Sequence, residues 1–125
     1  METEHSVIDL AWAAGFYEGE GWVSFLNTPS MKNPQLRLMV TQKDTVPLEK
    51  LRDIFGVGSI YVDKYNMCGR YVLTTYNAYS VSKLLLPYIV SPVKRVQMET
   101  ALKKHEDYKK SKGKSTTGKG GSCGV

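Results

Sequence analysis

The chain has 125 residues, 42% of them hydrophobic and 23% charged, with a formal net charge of +5. Such a balance fits one soluble globular domain and excludes a disordered or fibrous chain, and no apolar run approaches the roughly 20 residues that span a bilayer, so no membrane association is expected. The charge is uneven: Lys109, Lys110, Lys112, Lys114 and Lys119 lie in a last segment without acids, while the other 108 residues carry 12 basic and 12 acidic side chains. A basic tail attracts nucleic acid without sequence preference, and it also serves as a solubilising end.

The first predicted element is a helix over residues 7–19, capped by Ser6 with Asp9 at its third position. From Val7 to Tyr17 only Asp9 is charged, and apolar residues occupy every side of the helix. Such a helix buries more than one side, so it needs a partner beyond its own sheet. Trp22–Asn27 and Gln35–Gln42 follow with a strand period, joined by a turn-rich stretch containing Pro29, Asn33 and Pro34. In the second run Leu36, Leu38 and Val40 fall on one face, and Gln35, Arg37 and Met39 on the other. Asp44 is placed as the cap of a second helix over 45–55, with Pro47 in its first turn and Gly56 past its end. Runs 59–63 and 70–75 form a second hairpin. Asn77 is read as the cap of a third helix, 78–86, limited by Pro87, and a last helix covers 93–108. Residues 109–125, almost all Lys, Gly, Ser and Thr, are expected to be disordered.

This order predicts one domain over 1–108. It is an α+β fold with a four-stranded antiparallel sheet and helices on one face. The other face is left open and carries Gln35, Arg37, Tyr61, Asp63, Arg70 and Thr74, a mixture suited to a duplex groove.

The informative stretch is Ala13-Ala14-Gly15-Phe16-Tyr17-Glu18-Gly19-Glu20-Gly21. Ala11, Gly15 and Gly19, four apart, make one stripe of tiny side chains, although each mid-helix glycine costs about 1 kcal/mol against alanine. Two readings stand. The stripe lets another helix approach closely, or Gly19 and Gly21 end the helix while Gly15 packs on the chain's own sheet. Glu18 and Glu20 sit at the negative end of the helix dipole, where a carboxylate is disfavoured by roughly 0.3–1 kcal/mol. Breaking a local rule twice points to function. If the stripe packs on a twofold copy, two Glu20 carboxylates converge, and a cation between them relieves the repulsion. Hard oxygen ligands of this kind suit Mg²⁺ over a phosphodiester.

Ala13 through Gly21 resembles the nine-residue motif that names the LAGLIDADG endonucleases. Further features fall in the same order: Val40-Thr41-Gln42-Lys43 at a strand end, Gly56-Val57-Gly58 after a helix, Leu86-Pro87-Tyr88, then Val93-Lys94-Arg95 and Gln97 opening the last helix. The likeness covers nearly all of residues 6–108. It implies an αββαββα fold whose sheet saddles the DNA major groove. It also implies a metal-dependent enzyme that cuts a long, near-palindromic DNA site and leaves short 3′ overhangs.

By the resemblance, Glu20 is the essential metal-binding acid and Gly19 offers a backbone carbonyl to the metal. Gln42 orders water at the strand end, and Lys94 stands near the scissile phosphate. The loop before Lys94 is one residue longer here, which makes Arg95 the fallback. Glu18 positions the helix or the interface. The DNA-contacting set then comprises Ser24, Gln35, Arg37, Tyr61, Asp63, Arg70, Thr74 and Arg95. The cofactor is Mg²⁺, with Mn²⁺ as a substitute. A single motif requires a homodimer, joined through Ala11, Gly15, Glu18 and Gly19, and so supplies the partner that the all-round apolar helix lacks.

An RNA-binding intron-splicing helper on the same fold, and a DNA-binding protein that no longer cuts, are the rival readings. The presence of Glu20, Gln42 and Lys94 together speaks against a decayed site. The Gly- and Lys-rich stretch 113–120 is not a phosphate-binding loop, because Gly120 follows the lysine where Ser or Thr is needed. His5 and His105 are isolated and expected at the surface or locally hydrogen-bonded. The acidic N-terminus and two distant cysteines, Cys68 and Cys123, suggest a cytoplasmic or nucleoid-associated protein, or an organellar one if the gene is organellar.

Overall fold

The computed structural model describes residues 5–117, with side chains described for 5–111. Helix α1 (Val7–Glu20) runs without a loop into strand β1 (Gly21–Leu26), which pairs antiparallel with β2 (Gln35–Gln42). Helix α2 (Val46–Phe55) leads to β3 (Ser59–Val62), β4 (Gly69–Thr74) and α3 (Thr75–Leu85). A 3₁₀ turn over Leu86–Tyr88 precedes α4 (Pro92–Thr117). The four strands form one antiparallel sheet in the order β1-β2-β4-β3. No described helix is long and apolar enough to cross a membrane.

The helices cover one face of the sheet. Val23, Leu36, Leu38, Val40, Tyr71 and Leu73 point into the core, where they meet Ala13, Ala14 and Tyr17 of α1, Leu48 and Leu51 of α2, Ala78, Val81 and Leu85 of α3, and Met98 of α4. Strand alternation gives the sheet half of this core, and the opposite face carries the polar set. Ser6 caps α1 as expected, its Oγ accepting from the Asp9 N–H at 3.0 Å. Gly56 ends α2 in the left-handed region at φ 72°, where a side chain would be strained.

Four boundaries differ from the sequence reading. Helix α2 starts at Val46 with Thr45 in the cap position, and Asp44 acts one residue earlier, its carboxylate accepting from the Val46 N–H at 3.0 Å. Helix α3 starts at Thr75, not after Asn77. Thr74 is still extended and the chain turns at Thr75 with φ 48°, so strand passes into helix with no room for a loop. Strand β3 stops at Val62, leaving Asp63 to build the turn: its carboxylate accepts from the Tyr65 N–H at 2.7 Å and the Asn66 N–H at 3.2 Å. Helix α4 passes Tyr108 and reaches Thr117, because lysine is a good helix former and its charge suits a helix C-terminus. Of the expected tail, residues 118–125 lie outside the described residues.

His105, expected near the surface, is buried against the rings of Tyr79 at 5.1 Å and Phe25 at 6.4 Å. His5 lies beside Phe55, ring centroids 5.6 Å apart. Burial, helped by Lys109 and opposed by Glu106, lowers the His105 pKa below its ordinary value of 6.5. The unfolded chain therefore takes up a proton at a higher pH than the folded one. The neutral ring's contribution is complete above pH about 6.5 and is lost as the pH falls through the lowered folded value. Urea unfolding midpoints are expected to drop between about pH 7.5 and 5, and His105→Gln is expected to flatten that drop. Leu38→Ala, which empties the centre of the core, is expected to cost about 2–5 kcal/mol in the same assay.

Candidate functional site

The end of α1 is held by close packing rather than by a loop. Gly21 is the first strand residue, and its N–H still closes the helix on the Tyr17 carbonyl. Its φ of −119° suits any residue, so the glycine is needed for space: a Cβ there would lie 2.6 Å from the Tyr17 ring. Tyr17 is fully buried, which raises its phenol pKa well above the ordinary value and keeps the ring neutral. The result is a fixed junction with Glu20 exposed on its outer side.

Glu18 and Glu20 part company here. Glu18 turns back into its own protomer, one carboxylate oxygen accepting from the Val90 N–H at 2.9 Å and the Ser91 N–H at 2.5 Å. It thereby fastens the end of α1 to the loop that opens α4. On α4 the Ser91 hydroxyl accepts from the Lys94 N–H at 3.3 Å. The Lys94 ammonium donates to the Gly21 carbonyl and stands 5.6 Å from the Tyr17 ring centroid. Lys94 thus sits one residue from Glu20. Arg95, the fallback cation, is drawn the other way and donates to the Ile89 carbonyl at 2.6 Å. Gln42 ends β2 on the side of the sheet where Gly21 pairs with Val40. Its side-chain oxygen accepts from the Lys43 N–H at 3.0 Å, within its own turn.

Ala11, Gly15 and Gly19 lie exposed along one side of α1. A Cβ at Gly15 or Gly19 would meet nothing within 4 Å, so Gly15 does not pack on the sheet. Ile8, on the same side one turn earlier, is 81% exposed. The protomer leaves this stripe uncovered.

The open sheet face is built in rungs. Ser24 pairs with Arg37, and Arg37 with Thr74; Thr41 pairs with Arg70, and Arg70 with Tyr61. These residues stand together as expected, with Gln35 bonded to Arg37 at 2.9 Å and Arg70 lying 5.8 Å from the Tyr61 ring centroid. Asp63 is absent from the set because the turn uses its carboxylate. Between the polar rungs runs one that is apolar over Trp22, Met39 and Val72 and ends on Ser59, in register. Trp22 and Val72 were missed as groove-facing candidates, although strict alternation within β1 and β4 would have found them. The Lys94–Gly21 contact had no such signal, since 73 residues separate its partners.

Among the described residues no three His, Cys, Asp or Glu side chains come together to hold a metal. Glu20 offers one exposed carboxylate beside backbone carbonyls. That donor set fits a hard cation that keeps several waters.

Comparison with known proteins agrees in kind. The LAGLIDADG endonuclease family matches residues 13–113. The intron-encoded RNA maturase bI4 of Saccharomyces cerevisiae is 39% identical over 57 residues, 45% of this chain, and the chain spans only 9% of that relative's length. Among solved structures, the LAGLIDADG homing endonuclease I-GzeII in complex with its DNA target is similar with a TM-score of 0.72 and 24% identity, covering 94% of this chain and 42% of that one. The homing endonuclease I-CvuI in complex with its target has a TM-score of 0.68 and 20% identity, covering 84% of this chain and 70% of that one.

Glu18→Ala strands two N–H groups and is expected to destabilise the fold by about 1–3 kcal/mol, measured by urea unfolding. Glu18→Gln keeps an acceptor oxygen and is expected to lose less.

Proposed function

The chain belongs to the LAGLIDADG endonuclease family, and we propose that it acts as a site-specific homing endonuclease, cutting both strands of a long, near-palindromic DNA target as a homodimer. The observation that carries this reading is the exposed Glu20 at the foot of an uncovered small-residue stripe, beside a sheet face of groove-reading side chains. One protomer holds one carboxylate and one face. Joining two copies along Ala11, Gly15 and Gly19 brings two carboxylates together and sets two faces side by side.

In this reading Glu20 and the Gly19 carbonyl hold a divalent cation, with Mg²⁺ the proposed one and Mn²⁺ able to replace it. Such an ion, when bound, supplies Lewis acidity to the phosphodiester. Support for a divalent cation comes from I-CvuI, whose complex with the I-CreI target in the presence of 2 mM Mg holds uncleaved DNA and whose complex with its own target was obtained in the presence of 2 mM Ca. Gln42 would order attacking water at the strand end. Lys94, whose ammonium in this structure lies against the Gly21 carbonyl, needs only to swing outward to meet the negative charge that develops on the phosphate. Arg37, Arg70 and Tyr61 would hold the duplex, with specificity taken from base edges and DNA bending.

The match to an RNA maturase favours a second reading, in which the same fold binds intron RNA through other surfaces. Incubation with a randomised duplex library and Mg²⁺, beside a metal-free control, separates the two. Recovery of a near-palindromic site with staggered ends is expected; no selection of duplex DNA, with retention of intron-like RNA from a parallel randomised RNA library, would favour the maturase.

Glu20→Gln is expected to keep duplex binding in a mobility-shift assay and to lower cutting by more than about 100-fold. Normal cutting by that variant would remove Glu20 from the metal site. Gly15→Phe fills open space in the protomer. It is expected to leave the circular dichroism spectrum unchanged while sedimentation shifts from dimer to monomer.

A further inference from the structure

Two arginines stand on the open sheet face, and the structure treats them differently. Arg70 is exposed and lies over the Tyr61 ring. Arg37 is half-buried in β2, with strands on both sides and the hydroxyl residues Ser24 and Thr74 as its register partners. One of its terminal nitrogens, Nη2, donates to the Gln35 side-chain oxygen at 2.9 Å. Its Nε is buried and has no partner. Among the described residues no carboxylate lies within ion-pair distance of it.

A guanidinium carries five donors in a rigid plane and can present two parallel N–H groups from its side or from its end. Burial of Nε closes the side pair, and Gln35 uses one hydrogen of Nη2. The two N–H groups of Nη1 and the second of Nη2 have no partner among the described residues, while Gln35 restrains the guanidinium at Nη2. A held arginine with an unsatisfied buried nitrogen is a poor device for stability, so the arrangement points outward.

In the major groove two parallel donors match one base edge. Guanine presents two acceptors, N7 and O6. Adenine offers N7 but sets a donor beside it, cytosine offers a donor, and thymine offers one acceptor beside a methyl group. The position also favours a base over a phosphate, because a residue flanked by strands on both sides faces the groove floor rather than its rim.

We propose that Arg37 reads a guanine in the target, once in each half-site, with Gln35 as the residue that orients it. The inference rests on the endonuclease reading, since it requires a duplex laid along this face.

Binding selection from a randomised duplex library tests it with the full chain, its Arg37→Ala and Arg37→Lys variants, and Gln35→Ala. The native protein is expected to recover guanine at one symmetry-related pair of positions. A good bidentate contact corresponds to a preference of about 5- to 150-fold over the other bases. Arg37→Ala is expected to bring that pair close to parity, Arg37→Lys to keep only part of the preference because an ammonium can still donate to N7 and O6, and both to leave the other positions as they were. Gln35→Ala is expected to weaken the guanine preference without moving it. Thermal unfolding shows that each variant is folded. A uniform loss of affinity at all positions would make Arg37 a phosphate contact and overturn the proposal. So would a guanine preference that survives Arg37→Ala. A native protein that selects no duplex at all would overturn the endonuclease reading, and this inference with it.

Discussion

Tyr17 packed into the space above Gly21 is the contact on which the rest of the structure turns. Because the ring fills the place of a Cβ, helix α1 and strand β1 meet with nothing between them. The last helical residue and the first strand residue are neighbours, so the carboxylate of Glu20 has a set position relative to the sheet. Lys94 reaches the same junction from α4 and donates to the Gly21 carbonyl, while Glu18 draws in the loop before α4 from the opposite side. Two stretches far apart in the chain, Glu18–Gly21 and Val90–Lys94, are thereby tied together.

Two acids of the same type, two residues apart, therefore do different work. Glu18 lies on a side of the helix that meets its own protomer, and there it satisfies two backbone N–H groups of a tight loop. Glu20, at the very end, is turned to solvent. The same contrast runs through the sheet. Leu36, Leu38 and Val40 are buried in the core, while Gln35, Arg37 and Met39 alternate with them on a face that the protomer does not cover. The domain thus has one finished core, one uncovered helix side and one uncovered sheet face.

The architecture was legible because its signals are local. Alternation in β2, the Ser6 cap and the Gly56 stop each depend on a few neighbouring residues, and each came out as read. Boundaries failed where a residue type has two uses. Asn77 is a good cap, yet Thr75 turns the chain first; Asp63 continues a strand pattern, yet its carboxylate is better spent on the turn. His105 was misplaced because a lone histidine carries no period, and its burial depends on Phe25 and Tyr79 from other elements. At the candidate site, Glu20 and its stripe could be read along one helix. The pairing of Lys94 with Gly21, and of Glu18 with Ser91, could not, since no rule of spacing links residues so far apart in the chain.

The loopless junction leaves no slack beside Glu20, the carboxylate on which the proposed chemistry rests. A residue inserted before Glu20 would rotate the end of the helix by about 100°, moving the carboxylate off its side. An insertion within β1 would turn Trp22 and Ser24 toward the core and Val23 toward the groove. Length can vary more freely in the turn between Leu26 and Gln35, at the far end of β1 from Glu20. On the proposed reading, a change of target would come from exchanging side chains on the sheet face or reshaping that distal turn, while the spacing from helix to strand stays constant.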